Sequence, residues 1–142
     1  MEENIRREII MEHYQNPLNR KLPDNNNYIK VNTRNSSCID NLDIYVNVDD
    51  NIIRDITFMG EACAISISST SLMIESLIGK TIEDALIFID NFENMINEKE
   101  YNEDILKNTI VYNEIYKQNS RKKCAFLPYE GIKKVLASYN GK

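Results

Sequence analysis

The three cysteines of this 142-residue sequence, Cys38, Cys63 and Cys124, together with Asp40 two residues after the first, form a candidate set of metal ligands. Three thiolates and a carboxylate make four donors, the number zinc takes in a tetrahedral site. The same donors could hold a two-iron, two-sulfur cluster with two ligands per iron, although carboxylate is a harder ligand than thiolate and would make such a cluster labile. Cys38 and Asp40 are two apart, so an extended backbone points both to one side. Cys63 precedes a helical segment, where exposed N–H groups and the helix dipole favour a thiolate. Cys124 follows Arg121-Lys122-Lys123, and this positive charge is expected to lower the thiol pKa. Spacing alone leans slightly the other way. There is no Cys-x-x-Cys pair, the gaps of 25 and 61 residues match no simple zinc-finger rule, and three buried cysteines can pack as small hydrophobes. Asp40 alone reads as a turn or cap residue, and Arg121 to Lys123 as a solvated charge run.

The elements that must position these residues follow from periodicity. Residues 2–15 read as a helix, with Ile5, Ile9 and Ile10 at helical spacing and Asn16-Pro17 as its stop. Residues 18–27 form a polar connection. Tyr28 to Arg34 reads as a strand. Leu42, Ile44, Val46 and Val48 alternate with polar residues as a second, half-buried strand does. Asp49-Asp50-Asn51 is a tight turn into a return strand from Ile52 to Phe58, so this pair is an antiparallel hairpin. Gly60 is expected to break the strand. A helix follows over Ala64 to Ile78 with Gly79 as its C-cap. Thr81 and Asp84 open another helix in a capping-box-like start, with Ile82, Ala85, Leu86, Ile89 and Phe92 along one stripe. Residues 97–119 are polar, with a shorter helix around Ile105 to Tyr116. The last helix is expected to begin near Pro128, a favoured first-turn residue, which leaves Cys124 just before it. All three cysteines then sit at junctions between elements, where side chains from distant segments can converge.

Composition narrows the functional classes. The length suits one domain over 1–142. Seventeen basic against 22 acidic side chains give a net charge of −5, which argues against nucleic acid as a main partner. No apolar run approaches the ~20 residues of a membrane span, and the charged N-terminus lacks a signal-peptide apolar region. A cytoplasmic protein is expected. An odd cysteine count there points to free thiols, catalysis or metal rather than disulfides. Two motifs mislead. Gly79-Lys80-Thr81 looks like the end of a phosphate-binding loop, but position 74 is Ile where that loop needs glycine. His13, the only histidine, lies inside the first helix, where packing or capping is its expected role.

Sequence around the cysteines adds more than their spacing. Ile10-Met-Glu-His-Tyr-Gln-Asn-Pro17, Cys38-Ile39-Asp40, Phe58-Met-Gly-Glu-Ala-Cys-Ala-Ile-Ser66 and Arg121-Lys-Lys-Cys-Ala-Phe-Leu127 occur in this order. Together they resemble the U-type iron–sulfur assembly proteins: IscU, SufU and the N-terminal domain of NifU. Lys123 stands where the IscU branch has a ligating histidine, and the stretch from Cys63 to Cys124 is long, so the likeness is greater to the SufU branch. The resemblance implies an α+β fold, a small antiparallel three-stranded sheet packed by helices with the metal site at one exposed end. It implies Cys38, Asp40, Cys63 and Cys124 as ligands to zinc, or alternatively to iron in a [2Fe-2S] cluster. It further implies an accessory sulfur relay or scaffold rather than a stand-alone enzyme. The relay would take persulfide sulfur from a pyridoxal-phosphate-dependent cysteine desulfurase of the SufS type and pass it to downstream iron–sulfur assembly proteins. In that branch Cys38 would leave the metal and accept the sulfur, a partner histidine would replace it, and Arg121 would support the site or the partner. Ile39 and Ala62 stand where the family has glycines.

Overall fold

The computed structural model describes residues 1–36 and 39–139. Its sheet is a three-stranded antiparallel meander in the order β1-β2-β3, formed by β1 (Ile29–Arg34), β2 (Asn41–Asp49) and β3 (Ile52–Glu61). The alternation read from the sequence is the alternation of burial. Leu42, Ile44 and Val46 are fully buried while Asp43, Tyr45 and Asn47 between them are partly exposed, as period-2 side chains must be. Asp50 and Asn51 both take positive φ (53° and 62°) between the paired residues Asp49 and Ile52. A two-residue hairpin loop of this hand matches the strand twist and suits Asp and Asn.

The strand does not break at Gly60. Gly60 pairs with Leu42, and β3 continues to Glu61. The glycine is required for a different reason: its φ is +126°, and a Cβ there would stand 2.2 Å from the carbonyl oxygen of Asn41. The outer edge of β3 is covered at both ends. Phe58 donates its amide to Asn19 O (3.1 Å), and the Ile53 amide bonds to Lys80 O while Gly79 N–H returns to Ile53 O. Covering an edge in this way removes a template for unwanted strand pairing. It also gives Gly79-Lys80-Thr81 a purely structural use, since the Thr81 hydroxyl accepts from Asp84 N at 3.1 Å and caps the helix that follows.

Five α-helices pack on and around the sheet: α1 (Glu3–Gln15), α2 (Ala64–Leu77), α3 (Ile82–Ile96), α4 (Glu103–Leu106) and α5 (Asn119–Ser138). Residues 107–112 and 115–117 form 3-10 segments where one short helix was expected. α2 and α5 lie against the sheet and against each other, α1 covers α2, and α3 covers α5. α2 is buried along nearly its whole length and carries five buried hydroxyl residues, Ser66 and Ser68 to Ser71, each of which finds a partner. Ser69 donates to Ala125 O (2.6 Å), Thr70 to Ser66 O (2.7 Å), and Ser68 meets the Tyr112 hydroxyl. Most buried polar groups in folded proteins are satisfied in this way. His13 belongs to this set: its Nδ1 lies 2.7 Å from Ser71 Oγ, fastening α1 to α2 as the sequence suggested.

α5 departs most from expectation. It starts at Asn119, so Pro128 is inside the helix and Cys124 lies in its second turn rather than before it. Proline removes one intrahelical hydrogen bond, the one that would end on the carbonyl four residues earlier. That carbonyl is Cys124 O, and Ser66 Oγ of α2 stands 3.1 Å from it. Neighbouring α5 carbonyls are also met from outside, Ala125 O by Ser69 and Leu127 O by Thr33 Oγ1 (3.0 Å). Ser66 thus stands by the one carbonyl that the proline leaves without an intrahelical donor, its single hydroxyl proton shared between Cys124 O and Asp40 Oδ2.

Candidate metal centre

At the end of the sheet where β2 begins and β3 ends, three of the four expected donors meet. One ligand atom each from Asp40, Cys63 and Cys124 lies within 4.8 Å of the others. Cys38 lies outside the described residues. Each of the three is placed by a different device. Asp40 precedes β2, and its carbonyl accepts the Asn35 amide (3.1 Å) across the connection from β1. Cys63 is the N-cap residue of α2. Cys124 faces them from α5.

Asp40 is only 2% exposed, and burying a carboxylate demands hydrogen bonds. Its Oδ1 accepts the Cys63 backbone N–H at 2.7 Å, and its Oδ2 accepts the Ser66 hydroxyl at 2.7 Å. Asp40 thus satisfies the amide of the N-cap residue, Cys63, whose own side chain makes no cap bond. Cys63 Sγ stands 3.7 Å from Asp40 Oδ2 and 3.6 Å from Ser66 Oγ. On the far side, Asn35 Nδ2 is 3.9 Å from Cys124 Sγ. Ser66 and Asn35 were given no role by sequence reasoning. Ser66 had one available signal, a hydroxyl one helical turn after the cysteine.

The basic run does not lower the Cys124 thiol pKa. Lys122 and Lys123 turn with the helix toward a different cavity, while burial, followed by the nearby Asp40 and Cys63, pushes Cys124 up to about 12. Sequence distance misled here: a helix separates adjacent side chains by about 100°, and burial with the Asp40 and Cys63 neighbours outweighs charges that are near only in sequence.

These residues fit a divalent cation. Burial and the neighbouring Asp40 and Cys63 disfavour the Cys124 thiolate, and a dication would reverse that balance. Were all three separations the full 4.8 Å, a central point would lie about 2.8 Å from each donor, against about 2.3 Å for Zn–S and about 2.0–2.2 Å for Zn–O. Closing that difference takes side-chain adjustment, not a change of fold. Ala62 does not adopt positive φ, so the backbone makes no demand for glycine at that position. Ile39 is 73% exposed beside the centre. Arg121 is exposed on the first turn of α5.

Comparison with known proteins agrees with this construction. Residues 5–142 match the model of the NifU-like N-terminal domain. The zinc-dependent sulfurtransferase SufU of Bacillus subtilis is 34% identical over 140 residues, 98% of this chain and 94% of that protein. The iron–sulfur cluster assembly scaffold protein IscU of Thermotoga maritima is 34% identical over 103 residues, 72% of each. Among solved structures, FiSufU from Fervidobacterium islandicum superposes with a TM-score of 0.85 at 35% identity, covering 91% of this chain and 94% of its own.

Proposed function

Because the chain belongs to the NifU-like N-terminal domain family, we propose that it serves iron–sulfur cluster biogenesis as a zinc-bound sulfur relay. The convergence of Asp40, Cys63 and Cys124 on one point carries this reading, and the near full-length likeness to a zinc-dependent sulfurtransferase supports it. Asp40, Cys63 and Cys124 hold the zinc with Cys38 as the fourth donor, and the ion supplies deprotonated, protected thiols at neutral pH. Cys38 is the sulfur acceptor. Its thiolate attacks the outer sulfur of a persulfide on a cysteine desulfurase, the S–S bond of that persulfide breaks, and a new one forms on Cys38. The desulfurase cysteine leaves as thiolate, without net oxidation. Exposed Arg121 supports the encounter, and downstream assembly proteins receive the sulfur. Residues 1–142 act as one unit in the cytoplasm; no helix among the described residues is long and apolar enough to cross a membrane.

Metal analysis of the purified protein is expected to give stoichiometric zinc, and addition to a cysteine desulfurase is expected to stimulate turnover. A Cys38→Ala protein that stimulates fully would overturn the relay. The scaffold reading, with a [2Fe-2S] cluster on the same ligands, has its support in the IscU relatives. Against it stands Lys123, an exposed lysine at the position where that branch supplies a ligand; a protonated ammonium has no lone pair to give. Iron with acid-labile sulfide in the purified protein would favour the scaffold.

A further inference from the structure

A cavity of about 340 Å³ opens beside the metal centre, walled by the end of β1, the end of α3 and the first turns of α5. Its volume lies at the low end of small-molecule pockets, about 300–1,000 Å³. Arg34, Lys122 and Lys123 line it from two different elements, with Glu130 as the one acidic residue of the wall. None of the three cations is engaged in an ion pair among the described residues. Two of them are on the first turns of α5, which has no acidic residue in its first turn and no side-chain N-cap. Lys122 and Lys123 lie just past the first turn, where the helix dipole gives them no support, and an anion among the three cations would offset their mutual repulsion. The inner wall is apolar: Ile96 and Leu127 are each 2% exposed, and Phe126 packs on Tyr129 with ring centroids 6.1 Å apart.

From these features we infer that the cavity is a binding site for a small organic anion with two or more acid groups on a short carbon skeleton. Acid groups at separate ends match cations held on separate elements, and the apolar wall accepts the carbon between them. Inorganic phosphate offers charge without that body. An acidic segment of another protein offers charge without fitting a cavity of this size. Asn35 joins the site to the metal centre, since it lines the cavity while its amide reaches Cys124 Sγ. A bound anion therefore sits next to the donor set, though the proposal stands on the cavity and not on the sulfur relay.

Calorimetric titration of the zinc-loaded full chain tests it, with tricarballylate, 3-phosphoglycerate, inorganic phosphate and a hexaglutamate peptide as probes at constant ionic strength. The expected result is saturable one-to-one binding of tricarballylate or 3-phosphoglycerate with Kd below about 1 mM. Arg34→Ala and Lys122→Ala should each weaken it by about tenfold or more, and Lys30→Ala, on the sheet, should leave it unchanged. Amide shift changes should centre on Asn35, Asn97 and Phe126. No saturable binding of either organic acid, binding indifferent to Arg34→Ala and Lys122→Ala, or shifts centred elsewhere would overturn the proposal. Tighter binding of hexaglutamate or of phosphate alone would overturn it equally, in favour of a protein segment or a simple anion site.

Discussion

Asp40 does two things at once. Through Oδ1 it accepts the amide at the start of α2, and one of its carboxylate oxygens stands with two sulfurs in a group that could hold a cation. That sharing explains why a carboxylate can replace the fourth thiolate without being a weak point: its orientation is fixed by a backbone amide and by Ser66 before any metal arrives. Cys124 is in the opposite condition. With its thiol pushed up to about 12 by burial and by Asp40 and Cys63, it is protonated in the metal-free protein at neutral pH. Zinc binds thiolate, so uptake must expel that proton. The sign follows directly. Metal-bound Cys124 carries no proton and metal-free Cys124 carries one, so affinity rises with pH around neutrality, by about tenfold per pH unit for each proton released. Calorimetric titration of metal-free protein with zinc in two buffers of different ionisation enthalpy should report at least one proton released at pH 7.5. Buffer-independent heats would mean that the thiols are already ionised and that the corner is more hydrated than its burial indicates.

At the scale of elements, two glycines hold the backbone together by close approach and are predicted to differ in cost. Gly60 lies where β3 crosses Asn41, the residue after Asp40; an added Cβ meets backbone oxygen at 2.2 Å at a φ that L residues rarely adopt. Gly131 lies where α5 crosses β1, and an added Cβ meets Thr33 side-chain atoms at 3.1 and 3.3 Å. The Thr33 contacts need a shift of only a few tenths of an ångström, whereas the Asn41 oxygen of a paired strand would have to move much further. Gly60→Ala is therefore expected to destabilise by about 2–4 kcal/mol and to weaken zinc binding, and Gly131→Ala by about 1 kcal/mol with zinc binding kept. Chemical denaturation with zinc titration of both variants gives the order, and equal losses would show that the β2–β3 junction does not position Asp40. The elements themselves were legible to different degrees. β2 and β3 could be read because Leu42 to Val48 alternate, the Asp50-Asn51 turn because its residues suit positive φ, and α3 because Thr81 and Asp84 mark its start. The start of α5 could not be read, because Pro128 signals a first turn locally while the groups that meet the helix carbonyls from outside, Ser66 and Ser69, are more than 50 residues away. The same distance hid Asn35, whose contact with Cys124 spans 89 residues. Of the expected donors, Asp40, Cys63 and Cys124 meet in the fold; of the groups that orient them, Ser66 left a local trace one turn after Cys63, while Asn35 belongs to a tertiary contact that no local pattern encodes.

Across the whole molecule, the metal centre and the hydrophobic core are two ends of the same helices. α5 presents Cys124 to the centre and, five residues on, buries Tyr129 against Phe92 of α3 at a ring-centroid distance of 4.1 Å. α2 begins at Cys63 and runs into the core through Ile67, Leu72 and Met73. Because the three donors come from segments that meet only in the folded chain, a metal bound by all of them binds the native state and not the unfolded one. Its affinity then adds to global stability as RT ln(1 + [L]/Kd), about 4 kcal/mol when free zinc is a thousand times Kd. Phe92→Ala removes a fully buried ring from the stack and should cost about 3–5 kcal/mol, a large fraction of the stability of a small domain. Zinc should restore most of that loss in Phe92→Ala and none of it in Phe92→Ala combined with Asp40→Ala and Cys63→Ser, where two donors are gone but the core defect is the same. Thermal unfolding of both proteins, with zinc added and with a chelator, separates the cases. A zinc-dependent rise in Tm that survives loss of Asp40 and Cys63 would place the ion elsewhere on the chain. No rise in either protein would mean that the corner formed by β2, α2 and α5 is not a metal centre at all.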